Sequence, residues 1–276
     1  MRRAAIALTT SAVLTAAIGQ AAFAADLPAR PAPYAAPVIV PIYNWTGCYL
    51  GANVGGQYGL DEVTTTTSVN NFTGAGAAFL DGLTPTTIHP QGVIGGVQGG
   101  CNAQFAGFVI GFEADASWLY GVQSRTVTVG AGAPAPFLAG DFMTNEVKAT
   151  FLSTARARAG VALDRVLLFV TGGAAFGTVK TTDTLGTGGG AFVSTTNTTA
   201  NRTGWTVGAG LEYAMTQNWL FKAEYLYVDL GSFDAPIACV PACVDVNDTT
   251  VHHKYTDHVA RIGINYKFGG PVYAKY

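Results

Sequence analysis

The chain has 276 residues, with 15 basic and 17 acidic side chains and a net charge of −2. Charged residues make up 12% of the chain, about half the usual share, and the mean hydropathy is +0.28. This composition excludes most disordered proteins. Because no basic block could neutralise phosphates, it also excludes most nucleic-acid-binding proteins.

The first 24 residues have the three parts of a secretory signal peptide. A cationic start at residues 1–3 precedes an apolar stretch at 4–18, and a small-x-small cleavage site follows at 22–24. We predict that residues 1–24 are removed on export. The alternative is a buried N-terminal helix, which would not need all three parts in this order.

A proline-rich segment at residues 25–43 follows the cleavage site. Five of the 12 prolines lie between residues 26 and 43. Since proline lacks an N–H and has a fixed φ, this segment cannot form a helix or a central strand. We predict an extended periplasmic lead-in to a domain that begins at residue 44.

After residue 24, no apolar run approaches the roughly 20 residues that a membrane-spanning helix needs. A closed barrel can cross a bilayer with strands of about 10 residues in which alternate side chains are apolar. Such alternation is clear in five segments and weaker in three others, where glycine replaces many lumen-facing side chains. The predicted strands are residues 45–58, 91–104, 108–118, 146–162, 166–179, 203–214, 218–229 and 256–268.

The connections between these strands alternate between long and short. The long ones are residues 59–90, 119–145, 180–202 and 230–255, and the short ones are 105–107, 163–165 and 215–217. Bacterial outer-membrane barrels have long outer loops and short periplasmic turns in this order. We therefore predict an all-β fold, an eight-stranded antiparallel transmembrane β-barrel over residues 44–268, followed by a C-terminal tail at 269–276.

A soluble β-sandwich or lipocalin-like barrel would show the same alternation with its apolar face turned inward. Three features favour lipid outside: the apolar faces are continuous, small residues on the opposite faces suit a narrow lumen, and aromatic residues lie at the strand ends on the apolar face. The predicted aromatic girdle consists of Trp118, Phe176, Trp205 and Tyr227 at one rim and of Tyr213, Trp219, Tyr266 and Phe268 at the other.

Several strand motifs occur in the order found in one known family. They include WTGCYLG at 45–51, GFEADASW at 111–118, TARARAGVA at 154–162, GWTVGAGLEYA at 204–214 and HVARIGINYKF at 258–268. The chain resembles the alphaproteobacterial Omp25/Omp31-like porin family over nearly its whole mature length. The resemblance implies an eight-stranded OmpA/OmpX-like barrel with roles in envelope integrity and host interaction. The family has no catalytic motif to transfer, and the tail after Phe268 departs from its usual aromatic C-terminus.

The polar strand faces carry nine charged residues that we place in the lumen: Glu113, Asp115, Lys148, Arg156, Arg158, Glu212, Lys222, Glu224 and Arg261. Side chains fill the interior of an eight-stranded barrel, and an isolated charge there is costly. The charges must therefore pair or be hydrated. We predict a static polar plug, and the functional alternative is an ion path gated by exchange of salt-bridge partners.

The four cysteines suit an oxidising compartment. Cys48 and Cys101 lie at the periplasmic ends of neighbouring predicted strands and share a face, so a disulfide is feasible if they are opposed or nearly so. We predict this bond and, separately, a Cys239–Cys243 disulfide that closes a small ring in the last long loop. The alternatives are free buried thiols or a metal pair, but no second ligand pair accompanies 239 and 243. We predict no metal site and no cofactor.

Three histidines and an aspartate cluster near the outer end of the last strand. They are His252, His253, Asp257 and His258, and the three histidines are interpreted as solvated loop residues, the usual state of isolated histidines. A barrel protease that uses Asp and His would require more strands and a second acidic pair. No serine-histidine-aspartate triad can be assigned from the spacing.

Together these patterns predict a structural protein of the Gram-negative cell outer membrane that contributes to envelope integrity and surface interactions and is not an enzyme. The first alternative is a small porin-like diffusion channel for ions or small solutes, and a weaker one is an outer-membrane enzyme. The expected partners are outer-membrane lipid and lipopolysaccharide and the outer-membrane assembly machinery, without nucleic acid.

Overall fold

The computed structural model describes residues 43–67, 74–83, 86–133, 139–186, 193–237 and 249–268. The predicted signal peptide, nearly all of the lead-in, the C-terminal tail and the Cys239–Cys243 pair lie outside these ranges. Within them, no helix is long and apolar enough to cross a membrane. The elements are β1 (Gly47–Thr67), α1 (Gly74–Leu83), β2 (Thr86–Ile88), β3 (Gln91–Phe105), β4 (Phe108–Tyr120), β5 (Gln123–Thr128), β6 (Phe142–Leu163), β7 (Val166–Gly186), β8 (Val193–Ala214), β9 (Trp219–Ile237) and β10 (Thr249–Phe268).

Eight of these strands close into a ring. Antiparallel pairing runs through β1, β3, β4, β6, β7, β8, β9 and β10 and returns from β10 to β1. The closing pair extends from Cys48 opposite Phe268 to Thr67 opposite Thr249, so the first and last strands leave no free edge at the seam. β2 adds to β1, and β5 adds to β6. The predicted eight-stranded antiparallel barrel is confirmed.

Short turns connect the strands at one end of the ring, which we call the turn end. Residues 106–107 join β3 to β4, residues 164–165 join β6 to β7, and residues 215–218 join β8 to β9. Ala106 and Asp164 have φ angles of 54° and 51°. The left-handed backbone that these tight turns require is uncommon for residues other than glycine. The opposite end is called the extended end below.

The ring strands continue well into the segments that the sequence predicts as long loops. Six of them have 19 to 22 residues, about twice the length that a bilayer needs. The two faces exchange character along each strand. In β1, Leu50 points outward and Asn53 inward near the turn end, whereas Val63 points inward and Thr64 outward near the extended end.

This exchange has a simple physical reason. Next to lipid the outward face must be apolar, but beyond the bilayer the outward face meets water and the apolar side chains turn inward. The resulting core lies inside the extended end and is formed by Val63, Ile88, Ile94, Leu119, Met143, Val147, Ala149, Leu152, Ala175, Val179, Leu226, Val228, Leu230, Phe233, Ala235, Val251, Tyr255 and Val259.

Candidate functional site: a closed lumen

The outer wall near the turn end is apolar and is bounded by two rings of aromatic side chains. The structure places every residue of the predicted girdle on this outer face: Trp118, Phe176, Trp205, Tyr213, Trp219, Tyr227, Tyr266 and Phe268. Ring contacts join Trp205 to Tyr227 at 5.4 Å and Trp219 to Tyr266 at 5.2 Å between centroids. Sequence reasoning missed Phe151, which packs edge-on against Trp118 at 6.1 Å.

A disulfide crosses from β1 to β3 at the turn end. Cys48 and Cys101 are direct partners in the antiparallel register and are covalently joined. The predicted bond is therefore present, and it fixes the register of two strands whose connecting segment is long.

Inside the barrel, Glu113 of β4 is the centre of a charge network. Its Oε1 lies 2.5 Å from Arg156 Nη2 and 2.5 Å from Lys222 Nζ. Its Oε2 accepts a hydrogen bond of 2.5 Å from the hydroxyl of Tyr49, which in turn accepts one of 2.6 Å from Arg158. Strands β1, β4, β6 and β9 are thereby joined across the lumen.

Asp115 and Glu224 organise the other half of the network. Arg261 of β10 donates to both oxygens of Asp115 at 2.9 and 3.0 Å and, through Nε, to Glu224 at 2.5 Å. Arg156 also reaches both carboxylates, each at 3.0 Å. Asp115 binds Arg261 through both of its oxygens, and Arg156 is shared between Asp115 and Glu224. These contacts fix the orientation of both guanidinium groups.

Eight of the charged side chains in the lumen form a balanced layer, which we call the charge layer. It contains four acidic and four basic side chains, each no more than 2% exposed: Glu113, Asp115, Arg156, Arg158, Glu212, Lys222, Glu224 and Arg261. Arg158 completes it with a 2.9 Å ion pair to Glu212 and lies over the ring of Phe169 at 4.1 Å. Every member therefore has an opposite charge beside it, as burial requires.

The placement of Lys148 in this layer is wrong. The register between β6 and β7 shifts between Ala149 and Phe151, where two residues of β6 oppose one of β7. This β-bulge reverses the facing of everything beyond it. Val147 and Ala149 are buried in the lumen, so Lys148 points to the outer face.

The turn end of the lumen is closed by the residues just before β1. Tyr43 and Trp45 are buried, at 2% and 0% exposure, against Leu167, Phe169 and other apolar lumen side chains. The backbone N–H of Tyr43 donates to Asp164 Oδ1 at 3.1 Å, and the indole N–H of Trp45 donates to Asp164 O at 3.0 Å.

A cation also holds this closure in place. Lys267 Nζ lies 4.2 Å from the centroid of the Tyr43 ring and donates to the carbonyl of Asn44. Sequence reasoning assigned residue 43 to an extended lead-in and missed the closure. A sequence signal was present, because two large aromatic residues, Tyr43 and Trp45, lie at the end of the proline-rich segment and just after it.

His253 contradicts the interpretation of the histidine cluster as solvated. It is fully buried inside the extended end, where its Nδ1 lies 2.8 Å from Asp61 Oδ2 and its Nε2 lies 3.7 Å from Asp183 Oδ2. Its ring stacks on Phe233 at 5.0 Å. His252, by contrast, is on the outer face and 2.5 Å from Asp234. Their opposite placement follows from the alternation of adjacent strand residues.

The imidazole of His253 joins opposite walls of the barrel, from β10 and β1 to β7. It lies five residues beyond His258, whose ring contacts Tyr227 of the girdle, and so it is outside the segment between the two aromatic rings. Burial disfavours the imidazolium, but the hydrogen bond to Asp61 and the negative charges of Asp61 and Asp183 outweigh burial and raise the pKa of His253 to about 9. The side chain is thus a cation at neutral pH.

Comparison with known proteins agrees with this architecture. A family model described as the outer membrane protein beta-barrel domain matches residues 10–268. The 31 kDa outer-membrane immunogenic protein of Brucella melitensis is 35% identical over 261 residues, 93% of this chain and 98% of the relative. The 25 kDa outer-membrane immunogenic protein of Brucella abortus is 30% identical over 248 residues, 90% and 91% of the two chains.

Among solved structures, the outer membrane protease OmpT of Escherichia coli matches 82% of this chain and 98% of its own, with a TM-score of 0.49 and 7% identity. A likeness at this level says nothing about the activity of this chain.

Proposed function

Because this chain belongs to the outer membrane protein β-barrel family and localises to the outer membrane, we propose that it is a structural barrel that does not conduct ions. It contributes to envelope integrity and carries a rigid β extension on the cell surface. The observation that supports this proposal is the charge layer, a charge-balanced set of side chains that meet across the lumen and have almost no contact with solvent.

Two further closures lie on either side of this layer. Tyr43 and Trp45 close the turn end, and the apolar core closes the extended end. An ion that crossed the barrel would have to lose its water, part the buried ion pairs and pass through apolar side chains at both ends. The first of these steps alone is costly in a medium of low polarity.

The extended end gives the barrel its surface role. Short turns of outer-membrane barrels face the periplasm, so the extended end, with strands of about 20 residues, projects outside the cell. Its outer face is rich in threonine and asparagine, which form hydrogen bonds between β7 and β8. Thr178 donates to Asn201, and Thr182 donates to Asn197. The Brucella relatives are named for their immunogenicity, which fits a projecting surface of this kind.

Planar-bilayer recording tests the closed lumen. We expect the refolded protein to show no stepwise conductance under conditions in which a general porin, reconstituted in parallel, conducts. The heat-modifiable gel mobility of the same preparation must show that the barrel is folded.

Reproducible conductance steps would contradict the proposal, above all if Arg156→Ala changed their size. That result would favour the gated ion path, because Arg156 pairs with three carboxylates of the charge layer.

A further inference from the structure

The β-bulge in β6 places two lysines side by side on the outer wall. Beyond the bulge, Lys148 of β6 lies directly opposite Lys180 of β7 in the antiparallel register. Both side chains point outward, since Val147, Ala149 and Val179 are buried in the lumen. Like charges directly opposite each other destabilise a sheet. This pair therefore needs an explanation outside the strand pairing itself.

Neither lysine has an anionic partner in the part of the chain that the structure describes. No described carboxylate lies within 4.0 Å of Lys148 or Lys180. By contrast, Lys254, the outward lysine of β10, lies 3.8 Å from Glu62. Glu146 shares the face with Lys148, so the local charge remains positive by one.

The two lysines lie at a defined height above the membrane. Lys180 is four residues beyond Phe176, and Lys148 is three residues beyond Phe151, which contacts Trp118. With strands tilted by about 40°, four residues rise about 10 Å along the barrel axis. Since a headgroup layer is about 5–8 Å thick, the ammonium groups can reach the layer of lipid phosphates by bending toward the membrane.

We propose that Lys148 and Lys180 form a binding site for the phosphates of a phosphorylated glycolipid in the outer leaflet, of the lipid A type. The apolar wall and the aromatic residues directly below take its acyl chains, and the two ammonium groups take its phosphate. A phosphate between the lysines removes their mutual repulsion, which explains why the barrel tolerates this pair. The site lies on the outer wall and is independent of whether the lumen conducts.

Lipid binding to protein in phosphatidylcholine nanodiscs tests this site. We titrate bisphosphorylated lipid A and follow the bound fraction by native mass spectrometry. Loss of one lysine near a negatively charged lipid surface lowers the affinity for that lipid about five-fold. We therefore expect Lys148→Ala or Lys180→Ala to weaken binding about five-fold and the double variant about thirty-fold, while Lys148→Arg retains it.

The matched control is Lys254→Ala, which removes an outward lysine that already has a carboxylate partner and should leave the affinity unchanged. Heat-modifiable mobility verifies that each variant is folded. The proposal is overturned if the double variant binds as the parent does, or if dephosphorylated lipid A binds equally well. Full competition by millimolar inorganic phosphate would also overturn it, because the site would then recognise a free anion and not a lipid.

Discussion

Replacing Glu113 with alanine removes the carboxylate on which half of the charge layer depends. Arg156 and Lys222 lie within 2.5 Å of it, and Tyr49 donates a hydrogen bond to it. The variant leaves four cations against three anions among side chains that are at most 2% exposed. Loss of one partner of a buried ion pair costs about 3–5 kcal/mol. Because Arg156 keeps Asp115 and Glu224, we expect a loss of unfolding free energy of about 3 kcal/mol.

Urea unfolding from phospholipid vesicles, followed by tryptophan fluorescence, measures this loss. The double variant Glu113→Gln with Lys222→Met restores charge balance at nearly constant volume and should recover at least half of it. Glu62→Ala serves as the control, since its pair with Lys254 is exposed and worth at most about 1 kcal/mol.

An unfolding curve for the alanine variant that coincides with the parent's would refute the reasoning. It would mean that water enters the lumen and compensates the unpaired cations. The claim that charge balance governs this layer would likewise be refuted if the double variant were less stable than both Glu113→Gln and Lys222→Met alone.

Three further predictions concern the extended end, the disulfide and the orientation. The negative charges of Asp61 and Asp183 raise the pKa of His253 from 6.5 to about 9, so the stability that His253 contributes is complete below pH 6.5 and is lost as the pH rises through 9. Urea unfolding between pH 6 and 10 should show this fall in the parent, and a fall of the same size in His253→Gln would disprove that His253 causes it. Replacing Cys48 and Cys101 with alanine opens a loop whose ends are 53 residues apart and should cost about 4 kcal/mol, matched by reductant acting on the parent; if reduction leaves the unfolding midpoint unchanged, the bond does not stabilise the barrel. An epitope inserted after Gly186 should be labelled on intact cells and one at Asp164 only after permeabilisation, and the reverse pattern would invert the assigned orientation.

The sequence alone determines the barrel and most of its lining. Alternation at period two, interrupted by long and short connections in turn, identifies the eight ring strands, because lipid outside and a crowded lumen inside impose opposite demands on adjacent residues. The same alternation assigns Glu113, Arg156 and Arg261 to one interior. The facing of Cys48 and Cys101 follows as well, since both lie in regular strands close to a turn end.

Only the tertiary structure shows where this alternation changes meaning. Beyond the membrane the outward face becomes polar. There the polar Thr64 points outward and the apolar Val63 points inward, the reverse of the arrangement near the turn end. The sequence pattern alone therefore predicts loops in such segments. A β-bulge moves Lys148 to the outer wall, where its neighbour is decided by the register with a strand some 30 residues away. His253 is buried because β10 begins at Thr249, so that a position expected in a loop continues the inward alternation of Arg261. A side chain's direction depends on local parity, but what it meets depends on pairing with residues distant in the chain, and those partners are chosen by the closed barrel as a whole.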